Sequence, residues 1–310
     1  MRTCTCLIKS EMRILLTGKS GFLGKNIFNN LSKNYNLIAY AHKELDLLDY
    51  VKVKRCLETN KFDIIIHSAV GNGKNIVEDT IRMFVNIIAN SKDVKRIVYF
   101  GSGAEYAKDR NLVKVKESEG GKYIPVDSYG FSKYVCHEIT KKDRKFINLR
   151  LFGVFGPHED YKDKFISNSI VKNLLGIPIK IKQDVVFDYL YINDLVKILE
   201  YFIKGEPQFS SYNITPTESI KLSKIVEIIN NIEARSKVKL VNRGLNYEYT
   251  GDNSRLLQFI PSFKFTAYEK SIRDLYFFYK KNLSEVDVSA VLKDEYLKLS
   301  KIRSRNEKNI

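Results

Sequence analysis

Two short stretches of the chain carry side chains that could move a proton. In Ser128-Tyr129-Gly130-Phe131-Ser132-Lys133-Tyr134, Tyr129 and Lys133 stand four residues apart. On a helix that spacing places both side chains on one face. A tyrosine hydroxyl ordinarily titrates near pH ~10 and is a poor acid–base group at neutrality, but a cation a few ångströms away lowers such a pKa. Lys133 would supply that cation, and Tyr129 could then trade a proton with an alcohol or carbonyl oxygen. Ser102, in Tyr99-Phe100-Gly101-Ser102-Gly103-Ala104-Glu105-Tyr106, follows an apolar run, and its hydroxyl could orient the same oxygen. A Tyr-x-x-x-Lys pair arises often by chance, and a serine between glycines is an ordinary turn residue. What gives the three weight is their placement around successive apolar runs.

A second constellation lies near the amino terminus. Gly18-Lys19-Ser20 is the tail of an ATP-binding loop, but that pattern needs a glycine five positions earlier, where the chain has Arg13. The pattern that survives is Gly18-x-x-Gly21-x-x-Gly24, between the apolar run Ile14-Leu15-Leu16 and a helical stretch, with Phe22 and Leu23 as further candidate cofactor contacts. In a dinucleotide loop the first glycine makes a tight turn, the second admits backbone amides to a pyrophosphate, and the third lets helix and strand pack closely. The helix amino terminus then faces the anion.

These side chains need elements to hold them. Apolar runs at 14–16, 37–40, 64–67, 97–100 and 146–149 alternate with amphipathic segments. That alternation predicts an α/β fold, a doubly wound parallel sheet of the Rossmann kind that binds ligands at the carboxyl ends of its strands. The cofactor domain is expected over 12–155, with a return segment around 186–204, and a smaller α/β substrate-binding region over 156–285. Strand-like runs at 177–181 and 187–192 and helices near 166–175, 194–203, 219–230, 254–259, 267–281 and 286–299 complete the reading. Residues 1–11 read as an extension ahead of a first strand starting at Met12, and 286–310 as a terminal helix with a charged tail.

The ribose reader of such a fold follows the second strand, where an acid bonds the free hydroxyl of NAD and basic groups welcome the 2′-phosphate of NADP. Here that strand runs into Ala41-His42-Lys43, with no acid before Glu44. NADP is therefore the favoured cofactor and NAD the alternative, with His42, Lys43 and Lys19 as candidate phosphate partners. The other reading of His42 and Lys43 is as solvated surface charges.

The chain has 310 residues, 44% hydrophobic and 28% charged, which is ordinary for a globular protein with a large core. No run is long enough to span a membrane, and the opening residues are too short and polar for a secretory signal, so a cytoplasmic location is expected. Cys4, Cys6, Cys56 and Cys136 form no Cys-x-x-Cys pair, and together with four scattered histidines they offer no metal spacing. The net charge of +16 raises nucleic acid as a partner, but the lysines are spread along the chain without a basic aromatic patch. Nucleic-acid binding is not the expected function.

Gly18-x-x-Gly21-x-x-Gly24, His67-Ser68-Ala69, Ser102, Tyr129-x-x-x-Lys133 and Arg150 through Pro157 together resemble the extended short-chain dehydrogenase/reductases. More narrowly, the chain is similar to the NAD-dependent epimerase/dehydratase group acting on nucleotide sugars, over roughly residues 12 to 282. The stretches 42–49 and 156–160 are similar to GDP-fucose synthases and dTDP-4-dehydrorhamnose reductases, which reduce 4-keto sugars. The resemblance implies catalytic roles for Ser102, Tyr129 and Lys133, with Lys133 also on the nicotinamide ribose. It implies cofactor contacts at Asp46, Leu47 and Ala69, and a nucleoside diphosphate sugar in the carboxyl-terminal region. Dimerisation through the segments near 76–90 and 129–142 is implied as well.

Departures from the family narrow the expectation. Dehydratases carry Asp-Glu after the catalytic hydroxyl residue, where this chain has Gly103 and Ala104, and GDP-fucose synthases carry a cysteine at the position of Ala104. Glu105 is a possible substitute, but its adjacent position points its side chain elsewhere. Relatives often grip the diphosphate with an arginine before the residue matching Asp188, where this chain has Phe187. Lys164, Lys172 or Arg255 would have to replace it, each of them otherwise a solvated surface charge, with Asn168 as a polar neighbour. The expectation is an NADP-dependent reductase of a nucleotide-linked 4-keto sugar. The alternatives are a C4 epimerase retaining NAD and, from another class, a non-catalytic cofactor sensor or RNA-binding member of the fold.

Overall fold

The run Arg13-Ile14-Leu15-Leu16-Thr17 has no polar break, which suits a strand covered on both faces. In the computed structural model, which describes residues 10–303, it lies in β1 (Ser10–Thr17). The strand thus starts two residues before Met12, and residues 1–9 with Cys4 and Cys6 lie outside the described residues. There follow α1 (Phe22–Leu31), β2 (Tyr35–Tyr40), α2 (Tyr50–Asn60), β3 (Ile64–His67), α3 (Ile76–Ala89), β4 (Arg96–Ser102), β5 (Leu112–Val115), α4 (Ser128–Thr140) and β6 (Phe146–Leu151). The middle of the chain forms β7 (Gly153–Phe155), α5 (Phe165–Leu174), β8 (Ile179–Asp184), β9 (Val186–Phe187), β10 (Tyr189–Tyr191), α6 (Ile192–Lys204) and β11 (Ser211–Ile214). The last part holds β12 (Ile220–Lys221), α7 (Leu222–Ile232), β13 (Val238–Leu245), β14 (Tyr249–Gly251), α8 (Ser254–Phe259), α9 (Tyr268–Lys281), α10 (Val288–Leu292) and α11 (Glu295–Leu299).

Six strands build a parallel sheet in the order β11-β6-β4-β3-β1-β2. Ile14 of β1 is in register with Leu37 of β2 on one side and Ile64 of β3 on the other. The chain therefore changes direction across the sheet at β1, and the crevice at that switch lies at the carboxyl ends of β1, β2 and β3. On one face Leu15, Ile65 and Ile97 pack with Val53 and Leu57 of α2 and with Met83, Phe84 and Ile87 of α3. Fully burying one such side chain contributes about 1.5–3 kcal/mol.

The chain divides into two units. The first holds the residues up to Ala107, Gly121–Arg150 and Val196–Tyr212; the second holds Lys108–Gly120, Leu151–Leu195 and the residues from Asn213 onward. The segment that returns to the first unit is Val196–Tyr212, later than the expected 186–204. The reason is that the run expected at 187–192 divides at Asp188: β9 pairs with β12 and β14, and β10 pairs with β7. Within the second unit α5, α7 and α9 bury Ile170, Ile225, Ile229, Ile272 and Leu275. The helix expected over 286–299 breaks into α10 and α11, with Asp294 between them at φ +54°. Strand β13 was not anticipated, because it is exposed along nearly its whole length and shows no inward apolar series.

Candidate active site

At the carboxyl ends of β1, β2 and β3 a cleft of about 480 Å³ opens, lined among others by Gly18, Gly21, His42, Leu47 and Ala69. Gly18 turns the chain out of β1 at φ +73°, a region that favours glycine. A Cβ there would also lie 2.7 Å from the Ala69 amide nitrogen. At Gly24 a Cβ would fall 2.0 Å from the Gly18 carbonyl oxygen, so α1 meets the loop backbone to backbone. Helix α1 begins after Gly21 with no side-chain cap and no acid in its first turn. Its first amides thus keep their capacity for an anion. Gly24 is buried in this packing, while Phe22 and Leu23 are half-buried on α1, and none of the three lines the cleft.

The ribose-reading side chains divide. His42 lines the cleft, with Nδ1 3.7 Å from Asp46 Oδ1. The Asp46 carboxylate also accepts from the Leu48 amide at 3.0 Å and so shapes its own turn. Lys43 is exposed and lies outside the cleft lining. Lys19 lies with its ammonium 4.5 Å from the centre of the Phe28 ring and does not line the cleft either.

Thr17, Tyr40, Ser68, Asn72 and Met83 also line the cleft and were missed from sequence. For Thr17, Tyr40 and Ser68 the signal was available, since each ends or follows an apolar run; Met83 comes from α3 and gave none. Just below, His67 is buried with Nδ1 2.8 Å from Thr17 Oγ1. Burial, reinforced by the charge of Lys133, pushes the His67 pKa down to about 3, so the ring is neutral.

The serine–tyrosine–lysine set is held by β4 and α4. Asp127 caps α4 by accepting from the Gly130 amide at 3.0 Å, which fixes the first turn carrying Tyr129. Lys133 is buried on the same face; its Nζ donates to the Phe100 carbonyl at 2.9 Å and lies 6.0 Å from the centre of the Tyr129 ring. Ser102 ends β4 at 5% exposure, and its Oγ accepts from the Ala104 amide at 3.1 Å. A Cβ on Gly130 would lie 2.7 Å from the Ala104 carbonyl oxygen, so the serine turn and the tyrosine helix touch through their backbones. The Glu105 carboxylate points inward, accepting from Arg150 Nε at 2.6 Å.

In the second unit each basic candidate is engaged separately. Lys164 is exposed and pairs with Asp163 at 3.2 Å. Asn168 is buried and donates to the Tyr161 carbonyl at 2.9 Å. Lys172 is not a solvated charge: it is buried, with its ammonium 2.5 Å from Asp294. Arg255 lies 3.7 Å from Glu117. Phe187 stacks on Tyr189 with ring centres 4.6 Å apart. Lys114, a cation not anticipated from sequence, stands 3.6 Å from buried Asp188, which also accepts from Thr215, Ser219 and the Gly251 amide.

Comparison with known proteins identifies the family. A family model described as "NAD dependent epimerase/dehydratase family" matches residues 14–215. GDP-L-colitose synthase of Yersinia pseudotuberculosis is 25% identical over 228 residues, covering 63% of this chain and 73% of that protein. ADP-L-glycero-D-manno-heptose-6-epimerase of Brachyspira hyodysenteriae is 24% identical over 284 residues, covering 76% and 88%. Among solved structures, a GDP-L-fucose synthetase from Naegleria fowleri bound to NADP superimposes with a TM-score of 0.77 at 18% identity, covering 89% of this chain and 96% of that one. With the glycine loop at the sheet switch and the serine, tyrosine and lysine gathered around β4 and α4, the chain belongs to the NAD-dependent epimerase/dehydratase family of nucleotide-sugar-modifying enzymes.

Proposed function

We propose that the protein is an NADPH-dependent reductase of a nucleotide-linked 4-keto sugar. The observation that carries this reading is what stands beside Ser102. Gly103 and Ala104 bring no acid or base, and the Glu105 carboxylate is taken up by Arg150. Removing water or inverting a carbon next to the ketone needs an additional proton-transfer group, whereas reduction needs one hydride and one proton. GDP-6-deoxy-D-talose 4-dehydrogenase of Aggregatibacter actinomycetemcomitans, 24% identical over 308 residues, is named for redox chemistry at position 4 and supports the same direction.

The cleft suits a dinucleotide: positive φ at Gly18, the backbone contact of Gly24 and the open first turn of α1 form a cradle that side chains would fill. When bound there, the nicotinamide supplies the hydride. Ser102 Oγ holds the ketone oxygen by a hydrogen bond, and Tyr129 gives that oxygen its proton as the ketone carbon becomes an alcohol. Lys133, one turn further along the same helix face, sets its ammonium 6.0 Å from the centre of the tyrosine ring. His42, which lines the cleft, would meet the 2′-phosphate.

The deciding measurement is the ultraviolet spectrum of the purified protein after denaturation, followed by titration with NADPH and NADH. A protein that arrives empty, prefers NADPH and oxidises it with a 4-keto nucleotide sugar supports the proposal. NAD released only on denaturation would replace it with a C4 epimerase, and binding of neither cofactor would leave a non-catalytic role. We also propose a homodimer through α3 and α4, whose outer faces leave Val85 40%, Phe131 37% and Ile139 49% exposed.

A further inference from the structure

Beneath Ser102 lies a group of charged side chains that the proposed chemistry does not use. Glu105 and Arg150 are each 1% exposed, and Arg150 Nε donates to Glu105 Oε2 at 2.6 Å. Asn148 Nδ2 donates to both oxygens of the same carboxylate, at 3.2 and 3.0 Å. The remaining reach of Arg150 goes to the Tyr106 hydroxyl at 2.9 Å, with the guanidinium 4.9 Å from the centre of that ring. Glu105 Oε1 accepts from the backbone amide of Ser102 at 2.9 Å.

A buried ion pair of this kind is a weak source of stability. The desolvation of two charges rivals their attraction, and well-packed apolar replacements are often as stable or more so. Stability alone therefore does not account for it. Its position does, because the backbone from Phe100 to Glu105 is held at three points around the serine. Lys133 bonds the Phe100 carbonyl, Glu105 bonds the Ser102 amide, and Gly130 of α4 packs so near the Ala104 carbonyl that a side chain there would clash with it. Gly101 leaves room for the network, since a Cβ there would lie 2.0 Å from Asn148 Oδ1 and 2.2 Å from Glu105 Oε1.

We propose that Glu105 and Arg150 are positioning residues, which lock the Ser102 backbone so that its hydroxyl is presented in one orientation to the substrate oxygen. The role at the substrate rests on the function proposed above; the locking of the backbone does not. Neither residue touches the reacting atoms. Glu105 acts through the Ser102 amide, and Arg150 acts by holding the carboxylate in place.

The test compares the full-length wild type with Glu105→Gln and with the paired variant Glu105→Leu, Arg150→Met. Hydrogen exchange of the peptide covering residues 100–107, Tm, NADPH affinity and steady-state turnover are measured on each. The paired variant is expected to keep wild-type Tm and NADPH affinity while exchange at 102–105 rises about tenfold and kcat falls about tenfold with KM nearly unchanged. Glu105→Gln keeps an oxygen for the Ser102 amide, so its exchange in this segment should stay close to wild type even though the ion pair is gone. Unchanged exchange in a folded paired variant, or equal loss of protection in Glu105→Gln, would overturn the proposal. If the paired variant fails to fold, Glu105→Ala takes its place: raised exchange at 102–105 supports the proposal, and wild-type protection there refutes it. Should the wild type reduce no 4-keto nucleotide sugar, the proposed function falls while hydrogen exchange still decides the locking role.

Discussion

Of the three side chains that divide the proposed reduction, Tyr129 and Lys133 should fail in different ways when changed. Tyr129→Phe removes the proton donor without disturbing the ring, so kcat should drop by about 10²–10⁴-fold while NADPH affinity stays within experimental error. Lys133→Met removes both the charge and the bond to the Phe100 carbonyl, so turnover and cofactor affinity should fall together. Stopped-flow NADPH oxidation with equilibrium fluorescence titration separates the two patterns; a Tyr129→Phe protein with normal turnover would exclude the tyrosine as the acid. Buried titratable groups add a pH signature. His67 has a folded pKa near 3, lowered by burial and then by the charge of Lys133. The unfolded chain therefore binds a proton first, and the stabilising effect is complete above about pH 6.5 and lost as pH falls from there towards 3. Glu159 runs the other way. Burial raises its pKa from 4.5 to about 8, against a hydrogen bond from Ser167, so its effect is complete below 4.5 and lost as pH rises through about 8. Urea unfolding across pH should show Glu159→Gln flattening the slope between those values and His67→Asn flattening the acid limb.

At the scale of elements, the junction of β1 and α1 depends on backbone contact more than on any side chain. The Cβ that Gly24→Ala would introduce lies 2.0 Å from the Gly18 carbonyl, a rigid neighbour with no rotamer to yield. We expect a loss of about 1–3 kcal/mol in unfolding free energy together with weakened cofactor binding. Chemical denaturation and NADPH titration of the same preparation would check this, and an alanine variant of wild-type stability would show that α1 can shift away. Much of this junction was readable beforehand, because the three glycines stood between an apolar run and a helical stretch. The carboxyl-terminal elements were less readable. The single helix expected over 286–299 gave way to two short ones because Asp294, between them, turns aside at φ +54° and pairs with Lys172 from α5. That pairing joins residues far apart in the chain, and local periodicity cannot encode it.

For the molecule as a whole, assembly makes a prediction of its own. If the outer faces of α3 and α4 pair two copies, Val85→Glu with Ile139→Glu should yield a monomer by sedimentation velocity while NADPH binding persists. A wild-type protein that is monomeric at micromolar concentration would exclude the interface. Among the described residues no helix is long and apolar enough to cross a membrane.

What the amino-acid order determined by itself were features carried by local spacing. Alternating apolar runs implied the parallel sheet, the glycine triplet marked its first turn, and the four-residue step from Tyr129 to Lys133 placed both on one helix face. These are short-range consequences of backbone geometry, and they survive without knowledge of any partner. Tertiary structure decided the rest. It turned the Glu105 carboxylate onto Arg150, it took Lys172 out of solvent and set it against Asp294, and it brought Lys114 to Asp188. Each of those outcomes balances the desolvation of a charge against a counter-charge distant in sequence, and only the folded chain brings the two together.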